Sequence, residues 1–281
     1  MSFSHILVLA LVQGIAELLP VSSSAHVIVA EKLLGLDPTT PQMTLLLVML
    51  HTGTMLAVIT YFWKTWRATY FSSAHALRAN TLRLMLATVL TACVGLTVLQ
   101  LIKHTVARNS PGFEIESLFG NAKLMAAGLT AAGVLILVSS RFRPAAPGDL
   151  TVASAAWIGA VQGLCLPLRG FSRSGSTIST ALIAGVSRLR AEEFSFALAV
   201  LLTPPVLFRE VHRMHTAAAL SGASGTDGWW PLFGPGVLGM ILSFLAGLLA
   251  LRWLSSWLEA GRWHLFGIYC LVASAAVLWL G

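Results

Sequence analysis

Charge is scarce in this chain. Only 10% of its 281 residues are Asp, Glu, Lys or Arg, against about 25% in an ordinary soluble domain. A globule of this length cannot cover its surface with so few charges, so a soluble protein is excluded. Disordered chains and coiled coils are excluded with it, because both need abundant polar or charged residues. Cysteine is equally sparse. Cys93, Cys165 and Cys270 each lie inside an apolar run and match no CxxC metal or redox spacing, so they read as buried small hydrophobes. The first Lys or Arg is Lys32; without a charged n-region no cleavable signal peptide is expected. Acids are the rarer sign, 11 against 18 Lys and Arg, for a net charge of +7. The basic residues fall in short loops between apolar runs and form no face or stacking platform, so no nucleic-acid partner is expected.

What fills the chain is hydrophobic sequence, 56% of all residues. A helix needs about 20 apolar residues to cross the hydrocarbon core. Six runs meet or approach that length, at about 43–63, 81–101, 121–139, 191–210, 235–252 and 263–280. The fourth carries Pro204-Pro205, which predicts a kink. Two further stretches are apolar but interrupted. The stretch at about 3–34 breaks at Leu19-Pro20-Val21-Ser22-Ser23-Ser24, and the one at about 150–187 breaks at Leu168-Arg169-Gly170-Phe171-Ser172-Arg173-Ser174-Gly175. Each predicts two short helices joined by a polar turn, a re-entrant hairpin. Irregular backbone at membrane depth survives only when buried in protein or lining a wet cavity.

The two hairpins echo one another. Val12-Gln13-Gly14 returns as Val161-Gln162-Gly163; Ser22-Ser23-Ser24 lies nine to eleven residues after its Gln, and Ser172-Arg173-Ser174 ten to twelve after its own. The order is hairpin, three spans, hairpin, three spans. An odd number of crossings makes the second hairpin enter from the opposite side. The expected fold is therefore an all-α integral membrane domain over 1–281, with six full spans and two re-entrant helical hairpins in an inverted-topology repeat. Repeat one covers about 3–139 and repeat two about 150–280. Lys64, Arg67, Arg78 and Arg83, with no acid among them, mark the 64–83 loop as inside. Span counting then puts Arg141, Arg143, Arg188, Arg190, Arg252 and Arg262 inside as well. Lys32, Lys103, Arg108, Lys123, Arg209 and Arg213 fall outside. In a bacterial inner membrane both termini then face the periplasm.

Ionisable residues at membrane depth are costly and default to functional candidates. They are Glu17, His26, His51, Arg169 and Arg173, joined by Gln13 and Gln162, and all but His51 fall in the hairpins. Gln13 and Glu17 are spaced i,i+4 and share a helix face. His26 follows Ser22 by four and Ser23 by three, so either hydroxyl comes within reach of the imidazole, the minimal nucleophile arrangement. The alternative is that the serines cap the helix and His26 bonds a carbonyl. A helix start at these serines also offers free N–H groups to an anion. In the second hairpin, the hydroxyls of Ser172, Ser174 and Thr177 and the Arg173 fork suit phosphate oxygens. A small-residue packing surface explains the Gly and Ser there but not the Arg. Cations and N–H groups favour an anion, and the bilayer favours a lipid tail, so a lipid phosphate or diphosphate satisfies both. Glu17 would repel that anion unless a divalent cation, Mg²⁺ or Ca²⁺, lies between them.

These segments resemble the bacitracin-resistance type undecaprenyl pyrophosphate phosphatases. That family shows [Glu/Gln]-x-x-x-Glu, then Pro-Val-Ser-Ser-x-x-His, then Pro-Gly-x-Ser-Arg-Ser-Gly. Here they read Gln13-Gly14-Ile15-Ala16-Glu17, Pro20-Val21-Ser22-Ser23-Ser24-Ala25-His26 and Arg169-Gly170-Phe171-Ser172-Arg173-Ser174-Gly175, with a family-like His51-Thr52-Gly53-Thr54 between them. The resemblance implies hydrolysis of undecaprenyl diphosphate on the periplasmic side, recycling of the lipid carrier for the cell wall, and bacitracin resistance. It implies Ser23 as nucleophile, His26 as its proton partner, and Glu17 with Gln13 as the metal or water region. Arg173 becomes the diphosphate clamp, and Ser22, Ser24, Ser172, Ser174, Thr177 and Arg169 line the substrate. Two departures stand out: Gln13 takes the place of a carboxylate, and Arg169 replaces the usual Pro, adding a cation to the turn. A lipid-phosphate transporter or flippase of the same architecture is the competing reading, and the oligomeric state, a homodimer included, stays open.

Overall fold

The computed structural model describes residues 2–37, 40–106, 121–142, 148–220 and 229–280, and those residues form ten helices. In chain order they are α1 (Phe3–Leu18), α2 (Ser23–Leu33), α3 (Pro41–Tyr70), α4 (Ala74–Val106), α5 (Ala122–Ser139), α6 (Val152–Cys165), α7 (Arg173–Ile183), α8 (Arg188–Leu220), α9 (Trp229–Glu259) and α10 (Trp263–Leu280). Local chemistry sets several starts. Thr40 accepts from the Met43 N–H ahead of Pro41, and Asn121 accepts from the Leu124 N–H. Thr151 and Ser154 form a reciprocal capping box at α6. Glycines with positive φ follow three helices, at Gly35, Gly185 and Gly261.

Four of these helices are long and apolar enough to cross a membrane: Gln42–Tyr70, Ala74–Thr105, Ala122–Ser139 and Gly234–Glu259. Phe3–Leu18, Val152–Cys165 and Trp263–Trp279 are apolar but shorter. The chain is thus a multi-pass membrane protein. Of the six expected runs, the four just named are found at full length. The last, α10, is a single 18-residue helix. The run at 191–210 lies inside α8, a 33-residue helix continuous through Pro204 and Pro205. Large apolar side chains such as Leu96, Leu249, Val272 and Trp157 stand exposed on the outer faces, as a lipid-facing surface requires. Arg108 and Arg143, counted for orientation above, lie outside the described residues.

The two interrupted stretches form helix pairs with a turn between them, as their sequences predict. Leu19 is extended, Pro20 cannot donate, and α2 begins only at Ser23. The second pair turns over Leu166–Ser172, where Gly170 adopts φ +94 and a Cβ would strike the Met125 carbonyl.

Each pair is clasped by helices from the other half of the chain. Helix α1 packs on α9, while α6 packs on α4. Glycine makes both contacts. A Cβ on Gly14 would stand 2.6 Å from Ala246 Cβ and 2.8 Å from the Ser243 carbonyl; one on Gly163 would stand 2.7 Å from Val94 Cβ and 2.9 Å from the Thr91 carbonyl. The receiving surfaces match as well, Ser243 and Gly247 on α9 corresponding to Thr91 and Gly95 on α4. Small residues four apart let helix backbones approach closely, which drives association where lipid offers no hydrophobic effect. The turns are held the same way. Gly128 of α5 lies against the Arg169 carbonyl and Phe171 N–H, and Cys270 of α10 donates to the Pro20 carbonyl at 3.2 Å.

A separate polar network ties helix ends far from these turns. Arg190 donates to Asp149 at 2.7 Å, to Glu193 at 2.6 Å and to Asn80 at 3.2 Å. Burial opposes the Asp149 charge, but the Arg190 hydrogen bond, the Leu150 N–H and the Arg190 charge hold that carboxyl below the usual range.

Gly163→Ala forces α6 away from α4. The expected cost is about 1–3 kcal/mol, the scale of overpacking, read as a lower thermal midpoint in detergent. An unchanged midpoint means the helices do not approach this closely.

Candidate functional site

The two turns meet. Arg173, the first residue of α7, donates from Nη2 to Glu17 Oε1 at 2.8 Å, and Ser174 donates to the Leu19 carbonyl at 3.2 Å. Between the turns lies a cavity of about 230 Å³, lined by Glu17, Ser22, Ser23, Ser24, Arg169, Ser172, Arg173 and Ser174 together with apolar side chains and Cys165. A larger cavity, about 520 Å³, lies at the Arg190 network. Its central cation is already neutralised by Asp149 and Glu193, and no motif residue reaches it. The smaller cavity is the candidate site.

Glu17 is its hub. Oε2 accepts from Ser23 Oγ at 2.6 Å and from Gln13 Nε2 at 3.3 Å, and lies 3.8 Å from His51 Nε2. His51 is itself oriented by a bond from Nδ1 to the Leu47 carbonyl at 2.8 Å, which leaves its other ring nitrogen facing the carboxylate. Arg173 uses one guanidinium nitrogen on Glu17, while Nη1 is buried with no hydrogen-bond partner among the described residues. A buried unpaired cationic donor is expensive, so this nitrogen is poised for an anion.

The first turn presents Ser23 through an unusual conformation. Ser22 has φ +66, the only non-glycine residue with positive φ among those described. Such backbone costs on the order of 1–3 kcal/mol and collects at functional sites. Ser22 makes no side-chain cap on α2; its hydroxyl pairs with Ser24 at 3.2 Å. The first-turn N–H groups of α2 thus receive no side-chain cap from Ser22, the condition under which a helix start can accept an anion. By contrast, Ser172 caps α7 conventionally, accepting from the Gly175 N–H.

Three expected contacts differ. His26 does not reach Ser23: Nδ1 bonds the Ser22 carbonyl at 2.8 Å and Nε2 bonds Tyr269 at 2.6 Å. The carbonyl alternative weighed for His26 is the contact formed, and the group beside Ser23 is Glu17. Four residues along a helix brings His26 back over the Ser22 carbonyl, while Ser23 points the other way. Thr177 does not line the cavity; fully buried, it bonds the Arg173 carbonyl at 2.8 Å and Ser195 at 2.6 Å, and so supports the first turn of α7. Gln162 does not join the site either. It donates to Thr91 at 3.2 Å, while its sequence counterpart Gln13 serves Glu17.

Two neighbours escaped the sequence reading. Tyr269 lies in an apolar run 243 residues from His26, one of only three tyrosines in the chain, and its rarity was the available signal. Glu31, on α2, is 4% exposed with Oε1 buried and without a partner among the described residues, and it experiences the charge of Arg169. The cation that departs from the family pattern thus has a buried acid facing it from the other hairpin.

The sequence profile described as "Bacitracin resistance protein BacA" matches residues 6–276. The chain belongs to this family. Relatives include "Undecaprenyl-diphosphatase 2" of Acinetobacter baylyi, 57% identical over 100% of this chain and 98% of that protein. "Undecaprenyl-diphosphatase 1" of Burkholderia pseudomallei is 34% identical over 97% of this chain and 95% of that protein. "Undecaprenyl-diphosphatase 2" of Burkholderia orbicola is 32% identical over 99% and 96%.

Arg173→Gln leaves the Glu17 charge without its partner. Breaking a fully buried pair costs about 3–5 kcal/mol; this pair is only partly buried, so the loss is smaller. In denaturation assays the double variant Glu17→Gln/Arg173→Gln is expected to be more stable than Arg173→Gln alone.

Proposed function

We propose that this chain hydrolyses undecaprenyl diphosphate to undecaprenyl phosphate and inorganic phosphate, recycling the lipid carrier used in cell-wall synthesis. The observation that carries the reading is one cavity in which Glu17 bonds both Ser23 and Arg173 while the second Arg173 nitrogen awaits an acceptor.

Phosphoryl transfer is chiefly positioning and charge stabilisation. Ser23 Oγ attacks the terminal phosphorus in line, and its proton passes to Glu17 Oε2. The bond from phosphorus to the bridging oxygen breaks, and undecaprenyl phosphate leaves with the electron pair. As Glu17 takes the proton it loosens its hold on Arg173, whose charge turns to the phosphoryl oxygens alongside the uncapped N–H groups of α2. Glu17 gives its proton to the departing undecaprenyl phosphate, then takes one from the water that attacks the phosphoserine and returns it to the Ser23 oxygen as phosphate leaves. Arg169, lining the same cavity, supplies a second cation to the diphosphate.

Glu17 is the one carboxylate lining the cavity, and no group of three His, Cys, Asp or Glu suited to a metal occurs among the described residues. That donor set fits a Mg²⁺ or Ca²⁺ ion only if the diphosphate supplies most ligands, as it usually does for Mg²⁺, and the ion then competes with Arg173 for Glu17. Bound there, it offsets the charge of the substrate.

In the membrane, the reading takes 3–139 and 150–280 as inverted repeats. Helices α1–α2 and α6–α7 are then re-entrant hairpins, with α3, α4, α5, α8, α9 and α10 as six spans. The crossed clasp of α1 by α9 and α6 by α4 supports this. In this reading the site opens to the periplasm of the inner membrane, as the family resemblance implies, and removing the diphosphate form there would confer bacitracin resistance; the Lys and Arg bias, with both termini outside, supports the orientation.

Purified protein is expected to release inorganic phosphate from a long-chain prenyl diphosphate in detergent, with no gradient, and to lose activity with EDTA. Absence of release would favour a transporter. Arg173→Ala should lose about 2–4 kcal/mol of transition-state stabilisation, the scale of one oxyanion donor. Ser23→Ala should abolish both turnover and a trappable phosphoserine, whereas near-normal turnover would transfer the attack to water.

A further inference from the structure

His26 sits outside the cavity yet touches the turn that shapes it. Its Nδ1 faces the Ser22 carbonyl at 2.8 Å. A carbonyl only accepts, so Nδ1 carries the proton and, in the neutral ring, Nε2 accepts. The partner at Nε2, 2.6 Å away, is the Tyr269 phenol, which therefore donates. The two rings also stack, 5.7 Å apart and 15° from parallel. The chain of bonds runs from Tyr269 on α10, through His26 on α2, to the carbonyl of Ser22, whose φ of +66 directs the next residue, Ser23. One residue further along α10, Cys270 holds the Pro20 carbonyl of the same turn.

We propose that Tyr269 is a positioning residue for hydrolysis, acting through His26 to hold Ser22 in its left-handed conformation and so aim the Ser23 hydroxyl into the cavity. The inference rests on the hydrolytic reading above. An imidazole alone restrains Ser22 only while its own ring is held in place. The phenol supplies that restraint, and the tautomer that donates to Ser22 is the one it favours. Tyr269 is 46% exposed, so its buried area alone does not explain a phenol at this position, whereas the bond to Nε2 does.

The test is Tyr269→Phe in the full-length protein in detergent, which removes one oxygen and keeps the ring. Phosphate release from a long-chain prenyl diphosphate should show kcat reduced roughly tenfold, the scale of one hydrogen bond, with KM within about twofold. Nitrogen NMR of ¹⁵N-histidine-labelled protein, with the His26 signals assigned by their loss in His26→Asn, gives a readout independent of turnover. The wild type should show the Nδ1-protonated tautomer, and Tyr269→Phe should shift the Nε2 resonance. Unchanged His26 signals, an unchanged kcat, or a rise in KM alone would each overturn the proposal. If the wild type releases no phosphate, the hydrolytic reading fails with it, while the NMR comparison still decides whether Tyr269 holds His26.

Discussion

A carboxylate and a guanidinium 2.8 Å apart join the two broken helices. Remove that contact and Glu17 is a half-buried anion without its cation, Arg173 a half-buried cation without its anion, and Ser23 loses the fixed acceptor at its hydroxyl. Neither charge is well tolerated alone in a largely apolar interior. Together they are stable, but incompletely satisfied, since Arg173 Nη1 has no partner among the described residues. In the proposed reaction that residual demand is met by the anionic substrate, whose phosphate would partly replace the contact that holds the site together.

Keeping two irregular turns in register requires rigid support, and it comes from small residues. Gly14 of α1 against α9, Gly163 of α6 against α4 and Gly128 of α5 under the second turn each occupy space that a single methyl group would contest. Packing, hydrogen bonds and backbone proximity must hold helices together where lipid is as apolar as leucine. The crossed arrangement, each hairpin gripped by the other half, means that neither half completes the cavity by itself. It also shows how similar scaffolds carry different chemistry. Gln13 and Gln162 occupy matching places, but one serves a carboxylate and the other a threonine.

Several parts of the site were legible in the residues. Charges in otherwise apolar runs singled out Glu17, His26, Arg169 and Arg173, and a Pro followed by three serines marked the first turn. Spacing misled for His26 because three and four residues are both within reach on an ideal helix, whereas Ser22 departs from helical backbone and turns its carbonyl to the ring. Thr177 looked like a ligand by composition, yet faces Ser195 within the protein. Glu31 and Tyr269 gave little warning, because each gains its role from a residue more than a hundred positions away.

The amino-acid order by itself determined the membrane class, the helix breaks and the family, because hydrophobic length, proline and charge at depth act locally along the chain. Which acid meets which hydroxyl was decided only by the tertiary structure. Pairing across the two turns depends on how closely the glycine-lined helices approach and on where a strained Ser22 points its neighbours, and neither distance nor direction is written in spacing alone.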